Sequence, residues 1–132
     1  RGFNLLLNAL NLVCIELAKM IVKDAECATK FIRIKVRNAG SFKEAKKIAL
    51  AIANSNLFKT AVYGQNPNFG RIVASIGSSG VEVKEEGLKI KVSPLDKKEI
   101  NVEVSINTGN AGATVYTSDL TPQYIKINAE YN

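Results

Sequence analysis

The hydrophobic periodicity of this chain changes near Gly80, and that change limits the folds open to it. Before Gly80, apolar residues recur mainly at the three- and four-residue spacing of helices; after it, they mainly alternate with polar residues. Strands are expected at 81–84, 88–92, 100–107, 113–117 and 124–129. Helices early and strands late predict an α+β layered domain, with helices packed on a mostly antiparallel sheet. No repeat or linker divides the chain, so we expect residues 1–132 to form a single domain.

The first predicted helix, residues 5–22, is apolar in nearly every direction. Leu6 and Leu10 lie on a helical stripe, and Leu5 and Leu12 broaden it until little of the helix can face water. Such a helix needs cover on most sides, which we expect a partner chain or another segment to provide. Polar and charged residues interrupt the run, so it is a poor candidate for a membrane span.

Two further helices are predicted before Gly80. Ser41, with Glu44 three residues later, forms a capping-box signature that opens a helix expected to bury Phe42 together with the apolar stripe that follows. A short helix is expected from about Phe69 to Ile76, with Gly77 at the position that a helix carboxy-terminal cap prefers.

The chain has no histidine and only two cysteines, Cys14 and Cys27. The missing histidine excludes the Ser-His and Cys-His nucleophile pairs and removes the commonest zinc ligand, so no metal site is predicted. Two cysteines do not make a disulfide framework, which favours free thiols in the cytoplasm. Cys14 lies on the apolar stripe of the first helix and is expected in the core.

The formal net charge of +6 raises the question of nucleic-acid binding. The basic residues are spread along the chain, however, and Arg33, Lys35 and Arg37 occupy alternate positions, as do Lys89 and Lys91. This spacing is typical of the solvated face of half-buried strands. We therefore predict a solvated face and no nucleic-acid partner, and keep a nucleic-acid-binding module as the weakest alternative.

Four short segments together point to a family. They are residues 24–30 (Asp-Ala-Glu-Cys-Ala-Thr-Lys), 55–61 followed by Gly64, 66–71 (Asn-Pro-Asn-Phe-Gly-Arg), and 118–131, which begins Ser-Asp-Leu-Thr and ends Ile-Asn-Ala-Glu-Tyr. In this order they resemble the ornithine acetyltransferase family (glutamate N-acetyltransferase), and the chain is similar to the carboxy-terminal part of its β chain. The sequence departs from the family pattern at Ala25, Cys27, Asn66 and Phe69.

The resemblance implies a cytoplasmic enzyme of arginine biosynthesis that moves acetyl from N-acetylornithine to glutamate without a cofactor. Family members cut their precursor before a threonine, which becomes the nucleophile, and its free α-amino group, with a pKa of about 8, can act as general base. That threonine lies outside these 132 residues, so no catalytic residue is expected here. The implied partners are the α chain and the rest of the β chain, together forming an α2β2 hetero-oligomer. No association with a membrane is expected.

Two residues match family positions that contact substrate. Glu26 matches a glutamate whose carboxylate can hold the ammonium group of an amino acid. Asn128 matches an asparagine whose amide can both donate and accept hydrogen bonds. Without the resemblance, Glu26 is a surface carboxylate at a helix end and Asn128 a structural side chain in a strand.

Other polar residues in these segments have structural interpretations. Asp119 is expected to make a loop or cap hydrogen bond rather than to act as a catalytic acid. The 66–71 loop is expected to be architectural, with Arg71 binding carbonyl groups or a carboxylate. The departures from the family pattern leave a second hypothesis open, a non-catalytic relative that acts as a binding or scaffolding protein.

Overall fold

The computed structural model describes residues 2–23 and 29–120 of the chain. Four helices, one short 3-10 turn and four strands occupy these ranges. In chain order they are α1 (Gly2–Lys23), β1 (Phe31–Ala39), α2 (Phe42–Ala53), α3 (Asn56–Tyr63), α4 (Phe69–Ser78), the 3-10 turn Glu85–Gly87, β2 (Lys89–Val92), β3 (Glu99–Ser105) and β4 (Ala111–Ser118).

The four described strands form one sheet in the order β2-β3-β1-β4. The central strands β1 and β3 are parallel, with Ile34 opposite Val102, whereas β4 and β2 pair antiparallel on either side. Helices α2 to α4 lie within the long connection that a parallel pair requires. Two of the three pairings are antiparallel, so the predicted sheet type is confirmed, but its parallel centre was not foreseen.

The core lies between one face of the sheet and the helices. Alternation along β1 places Ile32, Ile34 and Val36 on the covered face, where each is completely buried. Helix α2 supplies Ile48 and Ile52 to the same cluster, and both are fully buried. Each such side chain contributes about 1.5–3 kcal/mol of burial free energy. The predicted α+β layered fold is confirmed.

The opposite face of the sheet carries the basic residues. Lys35 and Arg37 alternate with the buried positions of β1 and are exposed, and Arg37 lies 3.1 Å from the carboxylate of Glu103 on β3. Arg33 is only half-exposed, and its guanidinium lies 5.7 Å from the ring centre of Tyr116. The predicted solvated strand face is therefore confirmed.

The predicted capping of α2 is confirmed, because the hydroxyl of Ser41 accepts the amide hydrogen of Glu44 at 3.1 Å. The predicted burial of Phe42 is wrong: its side chain is 60% exposed. Phe42 is the first residue of α2 and lies at the margin of its apolar stripe, and the ammonium of Lys46 lies 5.7 Å from its ring centre.

Two local predictions after α3 are also wrong. Helix α4 continues through Gly77 to Ser78, and the glycine with a left-handed backbone is Gly80, at a φ of 82°. Residues 81–84 do not pair with the sheet; Val81 and Val83 pack against the core from a segment without strand structure. Their alternation therefore reflects burial of one side of an irregular segment.

Helix α1 has the uncovered apolar surface that the sequence predicts. Phe3 and Leu5 are 74% and 71% exposed, and Leu12 is 64% exposed. Cys14, predicted to lie in the core, is exposed, because the part of the chain that the structure describes does not cover this face. The helix approaches β4 at Lys19, whose ammonium lies 5.4 Å from the ring centre of Tyr116. Neither α1 nor any other described helix is long and apolar enough to span a membrane.

Candidate functional site

Both predicted substrate contacts, Glu26 and Asn128, lie outside the described residues. The described residues nearest to them in sequence within the same segments are Thr29 and Lys30 in the first segment and Asp119 and Leu120 in the fourth. These four residues, together with Lys59 of the second segment, are in contact with one another, and we call them the Asp119 junction.

The carboxylate of Asp119 is the centre of this junction. It accepts the backbone amide hydrogens of Thr29 and Lys30, each at 2.9 Å, and the hydroxyl of Thr29 donates to its second oxygen. The residue is only 5% exposed. A buried carboxylate needs such donors to offset its loss of hydration. The expected loop hydrogen bond of Asp119 is confirmed.

Strand pairing explains why two residues 90 positions apart meet. The first residue of β1, Phe31, lies opposite the last residue of β4, Ser118, in an antiparallel register. The residues just before β1 and just after β4 are therefore neighbours at one end of the sheet. The amide of Asp119 continues the pairing by donating to the carbonyl of Lys30 at 3.4 Å.

The second segment joins the same end of the sheet through α3. Ser55 caps this helix, its hydroxyl accepting the amide hydrogen of Phe58 at 3.2 Å. One turn later, the carbonyl of Lys59 accepts the amide hydrogen of Leu120 at 3.4 Å. Helix α3 is thus in hydrogen-bond contact with the first residues of the fourth segment.

The third segment is architectural, as predicted. The side-chain oxygen of Asn68 caps α4 by accepting the amide hydrogen of Gly70 at 3.1 Å. Arg71 donates to the carbonyl oxygen of Leu57 in the first turn of α3, at 2.5 Å, which confirms the expected carbonyl contact. A mainly apolar cavity of about 20 Å³ beside this loop is lined by Phe58 and Phe69 among others. It is large enough for little more than one water molecule, so it is no amino-acid site.

Larger depressions lie away from these segments. An open depression of about 590 Å³ is lined by Glu82, Lys84 and Thr108 among others, and another of about 420 Å³ lies on the basic sheet face near Arg33 and Lys91. None of their lining residues belongs to the four segments. Size alone therefore does not identify the candidate site.

The described groups of the junction can position other groups but have little capacity for chemistry of their own. Both oxygens of Asp119 are already bound by donors from Thr29 and Lys30. The Thr29 hydroxyl donates to that carboxylate and so closes the contact between the two segments. Sequence reasoning recognised Asp119 as structural but did not find its partners, because they are distant in the chain.

The class of protein follows from this arrangement. It is an α+β layered domain with a mixed sheet, in which hydrogen bonds link the four signature segments. The first segment is bonded to the fourth, the fourth to the second, and the second to the third. A model of the ArgJ family matches residues 2–132. The chain belongs to the ArgJ family.

Relatives and a solved structure agree with this assignment. An arginine biosynthesis bifunctional protein ArgJ from Geobacter sulfurreducens is 42% identical over 140 residues, covering 90% of this chain and 36% of the relative. The protein of the same name from Oceanobacillus iheyensis is 39% identical, covering 98% of this chain and 37% of the relative. The crystal structure of arginine biosynthesis bifunctional protein argJ from Bacillus halodurans matches with a TM-score of 0.87 at 35% identity, over 94% of this chain and 68% of that one. The chain thus spans about a third of the length of the curated relatives it matches.

Proposed function

We propose that this chain is part of an acetyltransferase of arginine biosynthesis that moves acetyl from N-acetylornithine to glutamate. Its family membership and the name borne by its relatives, arginine biosynthesis bifunctional protein, support this activity. The word bifunctional in that name indicates a second activity, which is compatible with acetyl-coenzyme A as a further acetyl donor. The protein acts in the cytoplasm.

The proposed chemistry uses a threonine nucleophile outside these 132 residues, freed by self-cleavage of a precursor. The free α-amino group of that threonine accepts the hydroxyl proton as the oxygen attacks the acetyl carbonyl of N-acetylornithine. Ornithine leaves, an acetyl-threonine ester remains, and the amine of glutamate takes the acetyl group in the second half-reaction. This ping-pong transfer needs no cofactor and no histidine. The chain contains no histidine.

This chain's proposed part is to bind the amino-acid substrate through Glu26 and Asn128. The carboxylate of Glu26 holds a substrate ammonium group, and the amide of Asn128 contacts the substrate's amino or carboxylate group. One observation carries this assignment: Asp119 holds Thr29 and Lys30, which joins the segment of Glu26 to the segment of Asn128. Glu26 is three residues before Thr29 in the sequence.

The proposed partners are the α chain and the remaining part of the β chain, in an α2β2 hetero-oligomer. The uncovered apolar surface of α1 supports a partner, since residues such as Leu5 and Leu12 are exposed within this chain. Residues 1–132 would then be one carboxy-terminal domain of the β chain, completed by contacts along α1.

The departures from the family pattern in the third segment do not favour a non-catalytic relative. Asn66 donates its amide to the carbonyl of Ala61 at 2.9 Å, a backbone contact that an aspartate at this position also permits. Phe69 is 45% exposed, so its exchange for tryptophan changes a surface ring. The contacts of Asn68 and Arg71 are made in full.

The test is an intact-mass experiment on the purified parent protein incubated with N-acetylornithine. We expect two chains from one precursor, and an added acetyl group on the chain that begins with threonine, which glutamate then removes. A protein that remains unacetylated would instead be a non-catalytic relative. Replacing Glu26 by Ala should raise the KM for N-acetylornithine by at least about tenfold, since a charge-assisted contact is lost.

The matched control is Glu86→Ala, which removes an exposed glutamate in the 3-10 turn. It should leave KM and kcat at their wild-type values. Wild-type kinetics in Glu26→Ala would overturn the assignment of Glu26 and leave the acetyl transfer itself in place.

A further inference from the structure

We propose that the exposed face of the sheet carries a binding site for a small molecule that bears phosphate groups. The site is formed by β1, β2 and β3 and by Ser93, which follows β2, and none of its residues belongs to the four signature segments. Its ligand differs from the amino-acid substrates, so this inference goes beyond the proposed function.

Two adjoining depressions supply the concave surface of this site, and each has a volume of about 420 Å³. Five basic side chains line them, namely Arg33, Lys35, Arg37, Lys89 and Lys91. Lys91 and Glu103 line both depressions, so the two meet along the row that these residues form across the sheet. Each volume is within the range of small-molecule sites, about 300–1,000 Å³.

The strand register brings these cations together. Glu103 on the central strand β3 lies opposite Lys35 of β1 on one side and opposite Lys91 of β2 on the other. Neighbouring strands are about 4.8 Å apart, so the backbones of the two lysines are about 10 Å from each other. Arg37 and Lys89 form the next such pair along the same strands. Two rows of paired cations therefore lie on the same face of the sheet.

The carboxylates of this face balance only part of that positive charge. Glu103 lies 3.1 Å from the guanidinium of Arg37. Among the residues that the structure describes, no ion pair engages Lys35 or Lys91. Glu99 lies on the same face, at the far end of the β1–β3 ladder, and lines neither depression. A concave surface with an excess of one charge concentrates ions of the opposite charge, so it favours an anionic ligand.

Arg33 and Ser93 add hydrogen-bond donors to the first depression. The guanidinium of Arg33 lies 5.7 Å from the ring centre of Tyr116, and its Nε has no acceptor in the described part of the chain. The hydroxyl of Ser93 accepts the amide hydrogen of Asn101 at 2.8 Å, which leaves its own proton for a ligand. A phosphate group carries close to two negative charges and three acceptor oxygens, so it matches this set of cations and neutral donors better than a carboxylate does.

The experiment measures the binding of inorganic pyrophosphate and of inorganic phosphate to the purified parent protein by isothermal titration calorimetry. At about 50 mM salt we expect pyrophosphate to bind with a Kd below about 1 mM, and at about 500 mM salt we expect screening to weaken it. Pyrophosphate should bind at least about threefold more tightly than phosphate, because it can reach both rows of cations. Adenosine diphosphate is the third ligand. Tighter binding than that of pyrophosphate would assign the site to a nucleotide, and equal or weaker binding to the inorganic anion.

Variants of the row across the sheet connect the binding to this site. Replacing Lys35 and Lys91 together by Gln should weaken pyrophosphate binding about tenfold. The matched control is Lys47→Gln, which makes the same change at an exposed position of α2 and should alter Kd by less than about twofold. Glu103→Gln removes the carboxylate between the two lysines and should tighten binding about threefold. A variant that fails to fold cannot bind more tightly, so this last measurement keeps the test decisive.

Three outcomes would overturn the proposal. They are no binding of pyrophosphate at low salt, the same loss in the control as in the double variant, and unchanged or weaker binding in Glu103→Gln. A single-stranded oligonucleotide of about 20 residues is titrated in parallel, and much tighter binding than that of pyrophosphate would make this face a nucleic-acid surface instead. Acetyl transfer enters none of these measurements, so failure of the proposed function leaves their result unchanged.

Discussion

The guanidinium of Arg71 in α4 donates to the carbonyl oxygen of Leu57 in the first turn of α3, at 2.5 Å. This one contact links the third signature segment to the second, across the loop that turns the chain between the two helices. Leu57 itself is 65% exposed, so the bond engages its backbone rather than its side chain. The arginine therefore links two short helices, neither of which would be stable alone.

Replacing Arg71 by Ala should lower the free energy of unfolding by about 1 kcal/mol, because the donor to Leu57 is lost at a half-buried position. Chemical denaturation of the variant and the parent measures the difference. Lys47→Ala, which removes an exposed cation from α2, is the control and should change the free energy by less than about 0.5 kcal/mol. An equal effect of both substitutions would show that the Arg71 contact does not matter.

Two glycines should respond in opposite directions to substitution by alanine. A Cβ on Gly109 would lie 2.5 Å from the carbonyl oxygen of Ala39 and 2.9 Å from the Cα of Gly40, both backbone atoms that cannot move aside cheaply. We expect Gly109→Ala to destabilise the protein by about 1–3 kcal/mol.

Gly77 provides the counterpart, since it lies within α4 and a Cβ there meets nothing within 4 Å. Gly77→Ala should stabilise the protein by about 0.5–1 kcal/mol through the smaller entropy of the unfolded chain. Thermal unfolding of the two variants side by side checks the sign of each effect. A melting temperature lowered by Gly77→Ala would contradict the open environment assigned to this residue.

The apolar surface of α1 should make the isolated 132-residue chain self-associate. Leu5 and Leu12 lie two turns apart and are 71% and 64% exposed. Replacing both by Lys should shift the mass measured by light scattering towards that of a monomer. Phe42→Lys is the control, because Phe42 is 60% exposed but lies on α2, and it should leave the association unchanged. A parent chain that is monomeric at every concentration would contradict this prediction.

Local sequence reasoning succeeded where the deciding interaction is local. Ser41 caps α2 three residues from its partner Glu44, as its capping-box spacing predicts. Local sequence reasoning failed where the outcome depends on what packs against a residue. The sequence marked Cys14 as a core residue, but burial depends on what covers α1, and the described part of the chain does not.

The candidate site also has a part that the sequence reveals and a part that it does not. The four signature segments, and Glu26 and Asn128 within them, could be recognised from the sequence, and these two assignments remain predictions. The partners of Asp119 could not be recognised, because Thr29 is 90 residues away and only the β1–β4 register makes them neighbours.

By itself, then, the sequence determined the cap of α2, the alternation of Ile32, Ile34 and Val36 with basic residues, and the family signatures. These are properties of short spans, in which side-chain spacing and hydrogen bonds within one turn govern the outcome. Only the tertiary structure decided that β1 and β3 are parallel and that Asp119 holds Thr29 and Lys30. Such contacts join distant parts of the chain, and the strand order that brings them together is a property of the whole packed sheet.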